Sequence, residues 1–423
     1  MQVNRFLLGE AASAIEAVGG LAHPADAMLR GFFRERAKLG QHDREFVAET
    51  VYAWLRRKRS IGHYAASQDA HSLVLATLAK VMGYSLRQLE SSISPREAEW
   101  ITMLKSKTLA GEPLGVRLDL PDWLVERMSS AEGEAELEAF AQASLKPAPL
   151  DLRVNTMKTD RDAVLARFAS ESIKAVATPY SPMGVRLAEK VALAKHPLFL
   201  EGAVEVQDEG SQLLCLLVAP KRGQMIADFC AGAGGKTLAL GALMRSTGRL
   251  YAFDVSAKRL AQFTPRMRRS GLSNVQAQVI GSEHDQKLKR LAGKFDRVLV
   301  DAPCSGLGTL RRNPDLKWRQ SPQAIDQLHD KQTAILAAAA RLVKPGGRLV
   351  YATCSVLAQE NRQVVDGFLA EHAGFRLLRA DEVLAAQKIE LPAVEGAGEY
   401  FELSPQVHGT DGFFGAVLER TKA

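Results

Sequence analysis

The chain has 423 residues, with 55 Lys and Arg against 48 Asp and Glu, a formal net charge of +7 and a pI near 9.2. That length exceeds what a single hydrophobic core serves, so two or three domains are expected, and the basic excess leans toward a polyanionic partner. A composition of 46% hydrophobic and 24% charged residues, with no apolar run of the ~18–20 residues a bilayer span needs, argues against a disordered chain and against a membrane protein.

The start, residues 1–10, sets Arg5 and Glu10 around a short apolar stretch, which is unlike a secretory leader. The expected location is therefore the cytoplasm. The four cysteines, Cys215, Cys230, Cys304 and Cys354, lie far apart and form no CxxC pair. Neither a disulfide framework nor a metal site is expected.

Residues 1–140 read as a helical domain. In residues 23–38, Met28, Leu29, Phe32 and Phe33 recur at helical spacing. Leu39-Gly40 ends that helix, and Asp43 is the expected N-cap of the next, which buries Phe46, Val47, Thr50, Val51, Trp54 and Leu55. The basic run Arg56-Arg57-Lys58-Arg59 at its end fits a solvated helix terminus or an RNA phosphate contact. Further helical pattern covers residues 72–91, 95–106 and 120–144. Lys146-Pro147-Ala148-Pro149 is a linker, because paired prolines interrupt helix and sheet. Residues 146–207 then form a small α/β module of the size of an RNA-recognition-type fold, with a strand over 150–155 and a helix over 160–170.

From residue 208 to the end, short strands alternate with helices. Strands are expected at 225–230, 249–254, 276–280, 297–301 and 347–353, a pattern that implies a doubly wound parallel sheet. The first strand runs into Asp228-Phe229-Cys230-Ala231-Gly232-Ala233-Gly234-Gly235-Lys236-Thr237. Glycines there allow a sharp turn and close approach to a ligand. A phosphate-binding loop of the G-x-x-x-x-G-K-[ST] type would need a glycine where Cys230 stands. The second strand ends in Asp254, placed to take ribose hydroxyls. An acid, a glycine turn and a second acid form the layout expected for S-adenosylmethionine, whereas the G-x-G-x-x-G of dehydrogenases does not occur.

Two later strands run into Asp301-Ala302-Pro303-Cys304-Ser305-Gly306 and Ala352-Thr353-Cys354-Ser355. Both cysteines therefore fall just past the carboxyl end of a strand, where open α/β sheets hold their chemistry. Thiols there suit covalent catalysis on a pyrimidine: addition at carbon 6 activates carbon 5 toward a methyl donor. Cys215, inside the apolar run 213–218, reads as a buried packing residue, and Cys230 as packing or backbone contact within the loop.

These motifs resemble the Sun/NOP family of RNA cytosine-5 methyltransferases. The resemblance extends over Arg311-Arg312-Asn313-Pro314-Asp315-Leu316-Lys317-Trp318, Asp411-Gly412-Phe413-Phe414, Leu152-Arg153-Val154-Asn155 and Gln207-Asp208-Glu209-Gly210-Ser211. The helical front resembles a NusB-like RNA-binding domain. The implied fold is a Rossmann-like class I methyltransferase domain, preceded by the all-α domain and the small α/β insert. The implied activity is S-adenosylmethionine-dependent methylation of cytosine carbon 5 in RNA, with small-subunit (16S) ribosomal RNA suggested by the helical front.

The resemblance implies Cys354 as nucleophile, Cys304 as the group that aids release, and Asp301 and Lys236 beside the target base. It implies cofactor contacts from Cys230, Ala231, Gly232, Ala233, Gly234, Gly235, Lys236, Asp254, Ser282 and Asp301. The sequence departs from the family loop, commonly Cys-Ala-Ala-Pro-Gly-Gly-Lys, at Gly232 and Ala233. It departs again after the third strand, where Ser282, with Glu283 or Asp285 nearby, stands in place of the acid that meets the adenine. Transfer RNA is the alternative substrate, and a non-catalytic RNA-binding assembly factor the alternative class. Arg311, Arg312, Lys317 and Arg319 fit a phosphate contact or a solvated loop.

Overall fold

A computed structural model describes residues 3–189, 191–392 and 398–422. The chain divides into two units, Met1–Pro147 with Thr309–Pro322, and Ala148–Gly308 with Gln323–Ala423.

The first unit is helical, as the 3.6-residue periodicity predicts. The helix Gln41–Arg56 buries the expected face, Phe46, Val47, Thr50, Val51, Trp54 and Leu55. Its start differs from expectation. The N-cap is Gly40, and Asp43 lies inside the first turn, where its carboxylate accepts the Gly40 N–H at 3.0 Å. The basic run is split, with Arg56 closing this helix and Lys58 opening the next, Lys58–Ala65.

The segment 309–322 packs within this unit. Trp318 Nε1 donates to Leu55 O at 2.7 Å, Lys317 Nζ donates to Arg56 O at 2.8 Å, and Arg56 Nη2 donates to Arg311 O at 3.0 Å. Lys317 and Arg311 are buried, so neither is the solvated loop residue or phosphate contact that the sequence offers. Burial lowers the Lys317 ammonium to about 7.

The second unit holds two sheets. In the small one, β1 (Leu150–Val154), β2 (Ala175–Ala177), β3 (Gly184–Leu187) and β4 (Val204–Val206) are antiparallel, in the order β2-β3-β1-β4. Leu152, Val154, Val185 and Val204 pack into one core with Val164 and Phe168 of the helix Arg161–Ser170.

The large sheet contains β5 (Met225–Asp228), β6 (Arg249–Asp254), β7 (Val275–Val279), β8 (Phe295–Asp301), β9 (Val343–Thr353), β10 (Phe375–Leu378), β11 (Phe401–Leu403) and β12 (Phe413–Arg420). Its order is β10-β12-β9-β8-β5-β6-β7, with β11 on β12. The run from β9 to β7 is parallel. Val298, Leu299, Val300 and residues 349–353 are buried, as strands covered on both faces must be, whereas β7, at the edge, exposes Gln276 and Ala277.

The sheet is not parallel throughout. β12 inserts antiparallel between β9 and β10, where the sequence predicts no strand. The sheet path changes direction around β5, which pairs in parallel with both β6 and β8. Open α/β sheets bind ligands in the crevice beyond the strand ends at such a switch.

Candidate active site

The turn after β5 is shaped by its glycines. Gly234 has φ +80°, and a Cβ there would stand 1.9 Å from a carbon of the buried Phe263 ring. Gly232 has φ +57° with no atom within 4 Å of a would-be Cβ, so the loop faces open space there. The loop is pinned from below. Ala231 N–H donates to Phe253 O at 2.8 Å, and Gly232 N–H donates to Asp254 Oδ2 at 2.8 Å. The other oxygen of Asp254 accepts Ser256 N–H at 2.7 Å.

The small sheet supports the same loop. Arg153 of β1 donates to Gly235 O at 2.7 Å and to Gln207 Oε1 at 2.5 Å. Glu205 of β4 accepts Arg266 Nη2 at 2.9 Å, and Arg266 Nη1 donates to Ala233 O at 2.6 Å.

Lys236 lies in the first turn of the helix Gly235–Leu243, and its Nζ is 2.7 Å from Asp301 Oδ2 at the end of β8. Burial works to lower the Lys236 ammonium, but the Asp301 carboxylate outweighs it and holds Lys236 well above its usual value. Asp228 is buried. Its Oδ2 accepts the Thr237 hydroxyl at 2.6 Å, its Oδ1 has no hydrogen-bond partner, and burial raises its carboxyl to about 7.

Cys304 and Cys354 bring their sulfurs to 3.4 Å, and both are partly exposed. The hydrogen bond to Cys354, followed by burial, pushes the Cys304 thiol well up. The Cys354 carbonyl accepts Gly308 N–H at 2.9 Å, which folds the two cysteine loops together. Both loops converge on the buried carboxylate of Glu360. Such an edge can present a thiol, a carboxylate and an ammonium to one planar substrate.

The chain is similar to known proteins over most of its length. The 16S rRNA methyltransferase RsmB/F family matches residues 215–419, and the ferredoxin-like domain of RsmF/B-like methyltransferases matches residues 120–194. Ribosomal RNA small subunit methyltransferase B of Shewanella oneidensis is 34% identical over 360 residues, covering 84% of this chain and 77% of that protein.

The chain belongs to the RsmB/F methyltransferase family.

Among solved structures, PH0851 is 25% identical with a TM-score of 0.80, covering 99% of this chain and 100% of that one. A methyltransferase homolog protein from Pyrococcus horikoshii is 30% identical with a TM-score of 0.63, over 72% of this chain and 97% of that one. The Rossmann-like expectation and the Sun/NOP resemblance both hold. The ferredoxin-like match takes in β1, β2 and β3 of the small antiparallel sheet.

Within this RsmB/F member, the loop 230–236, Asp254 and Asp301 share one sheet edge with both cysteines. The residues fit S-adenosylmethionine. Val255 and Val279, at the ends of β6 and β7, are 57% and 41% exposed, an apolar surface suited to an adenine ring. The unpartnered Asp228 Oδ1 and the open space at Gly232 lie in the same turn. Ser282 follows β7 and accepts His284 N–H at 3.2 Å. Asp285 caps the helix Gln286–Lys289 by accepting Lys287 N–H and also accepts Gly281 N–H, so both its oxygens are engaged.

Cys230 is partly exposed at the surface of the core of large-sheet residues. Cys215 is buried, and burial pushes its thiol up to about 12, as fits a packing residue. Sequence reasoning missed Val255, Arg266, Glu205 and Glu360. Arg153 stood inside a quoted motif, and only its contact with Gly235 gives it a role. Among the described residues no group of His, Cys, Asp and Glu is placed to hold a metal, and no helix is long and apolar enough to cross a membrane.

Proposed function

We propose that this chain methylates carbon 5 of a cytosine in 16S ribosomal RNA, with S-adenosylmethionine as donor and Cys354 as covalent nucleophile. The observation that carries the reading is the pair of partly exposed thiols 3.4 Å apart at the ends of β8 and β9, on the edge that holds Lys236 and Asp301. The family, and the substrate named for its Shewanella member, support ribosomal RNA. The helical unit, with its NusB-like resemblance, is the proposed RNA-binding part.

Carbon 5 of cytosine is a weak nucleophile. Addition of the Cys354 thiolate forms an Sγ–C6 bond and moves the C5=C6 electron pair toward carbon 5. Asp301 contacts the N3/N4 edge and stabilises charge developing on the ring, while Lys236 fixes the carboxylate. When bound, S-adenosylmethionine would supply a methyl group on a sulfonium for carbon 5, the pair of the broken S–CH3 bond staying on sulfur. Cys304 then removes the carbon-5 hydrogen as a proton. The C5–H electron pair restores the double bond, the Sγ–C6 bond breaks, and its pair returns to Cys354. The target base is single-stranded or flipped out, since both faces must be reached.

The test incubates unmethylated small-subunit ribosomal RNA and S-adenosylmethionine with wild type, Cys304→Ala and Cys354→Ala. Products are read on a denaturing gel and as 5-methylcytosine. Wild type methylates, Cys304→Ala accumulates a denaturant-stable protein–RNA adduct, and Cys354→Ala gives neither. An adduct from Cys354→Ala reverses the thiol roles. No methylation or adduct from any of the three, with RNA and cofactor bound, overturns the reading.

A further inference from the structure

The ladder between β8 and β9 ends near Asp301 and Ala352, with Ala302 N–H donating to Ala352 O at 2.9 Å. Both cysteines lie beyond it, so strand pairing does not set their spacing. Glu360, in the short turn Ala358–Glu360, is 0% exposed and reaches both loops. Its Oε1 accepts Ser305 N–H at 2.8 Å and Gln332 Nε2 at 3.0 Å. Its Oε2 accepts the Ser305 hydroxyl at 2.5 Å and the Ser355 hydroxyl. Each serine directly follows a cysteine.

The surrounding groups hold the clamp itself. Gln332 also donates to Pro303 O at 2.9 Å, and the Tyr351 hydroxyl donates to Glu360 O at 2.6 Å. Neighbouring Asn361 donates to Ser355 O at 3.0 Å and accepts the Thr353 hydroxyl at 2.5 Å. Burying a carboxylate is strongly unfavourable unless donors surround it, and an apolar side chain would fill the space at less cost. Three of the four donors come from the two loops that carry the thiols, and the fourth, Gln332, lies in the helix Pro322–Ala340.

We propose that Glu360 is a positioning residue that sets the distance between Cys304 and Cys354 by tying together the serines that follow them. Its link to catalysis rests on the thiol roles given under Proposed function. The Glu360 charge also adds to the influences that raise the Cys304 thiol, after the Cys354 hydrogen bond and burial.

The test uses the full chain with Glu360→Gln, which keeps the shape and loses the charge and two acceptor sites. A second variant, Ser305→Ala/Ser355→Ala, removes both hydroxyl tethers and leaves Glu360 and its bond from the backbone N–H of residue 305. Two readouts are independent of each other: kcat and KM for RNA methylation, and the rate at which dibromobimane bridges Cys304 to Cys354, mapped by mass spectrometry. Both variants are expected to bind S-adenosylmethionine as wild type does, to lose about a hundred-fold in kcat with KM little changed, and to bridge about ten-fold more slowly.

If Glu360→Gln loses cofactor binding through misfolding, the serine variant decides by the same criteria. Wild-type kcat and wild-type bridging in a variant that binds cofactor overturn the proposal. If wild type itself forms no adduct, the functional reading fails, and the bridging rate alone still decides whether Glu360 sets the thiol spacing.

Discussion

Lys236 Nζ and Asp301 Oδ2 stand 2.7 Å apart, one in the first turn of the helix after β5 and the other at the last residue of β8. The pair links the proposed cofactor loop to the proposed base site. Asp301 opposes the burial that would otherwise lower Lys236. Asp301→Asn and Lys236→Met are each expected to cut single-turnover methylation by about 10²–10³-fold. In Asp301→Asn, the largest influence opposing burial of Lys236 is gone, so its ammonium deprotonates at lower pH. The residual rate is then expected to fall as pH rises through the alkaline range, a limb absent from wild type. A pH–rate profile of both proteins checks this.

The two left-handed glycines of the cofactor loop differ in what a methyl group would meet. Gly234→Ala drives a Cβ into Phe263, which is buried and cannot yield, so a loss of about 3 kcal/mol or more is expected. Gly232→Ala meets no atom and costs only the left-handed backbone penalty, about 1 kcal/mol. Urea unfolding of the two variants side by side separates them.

The Glu205–Arg266–Ala233 chain holds a loop that lacks the proline common in the family. Arg269 also donates to Glu205, so this carboxylate anchors two guanidinium groups. Arg266→Ala frees the Ala233 carbonyl and loosens the loop before any ligand arrives. S-adenosylmethionine affinity is expected to fall about ten-fold, because a preorganised site binds at lower entropic cost. Titration calorimetry measures it. Glu205→Gln is expected to give a smaller loss in the same direction.

Lys317 is buried with its ammonium lowered to about 7 from 10.5. Between those values the unfolded chain binds a proton that the folded chain does not, so stability rises with pH across that window and is lost as pH falls through about 7. The slope from this one group is at most ~1.4 kcal/mol per pH unit. Lys317→Met is expected to flatten the curve, gaining on wild type at pH 7 relative to pH 9. Denaturant midpoints at the two pH values check the sign.

Much of this site was legible in the sequence because strand ends, glycine turns and apolar periodicity are local. The expected strand over residues 249–254 coincides with β6, and Cys304 and Cys354 fall just past β8 and β9 because a strand's end is written in the residues that stop it. Errors arose where neighbours in space decide. Asp43 is a good N-cap in isolation, yet Gly40 takes that place and Asp43 reaches back to it. β12, for which the sequence predicts no strand, forms between the edges of β9 and β10.

Residue types and local order alone thus determined the strand–helix alternation, the acids at the strand ends, and the presence of two thiols on one sheet edge. Tertiary structure alone decided that those thiols lie 3.4 Å apart, that Glu360 joins their loops, and that Arg153 and Arg266 brace the cofactor loop. It alone placed the segment 309–322 in the helical unit and buried Lys317 there. The reason is physical: periodicity records which face of an element avoids water, but a hydrogen bond across fifty residues exists only once packing has brought its two ends together.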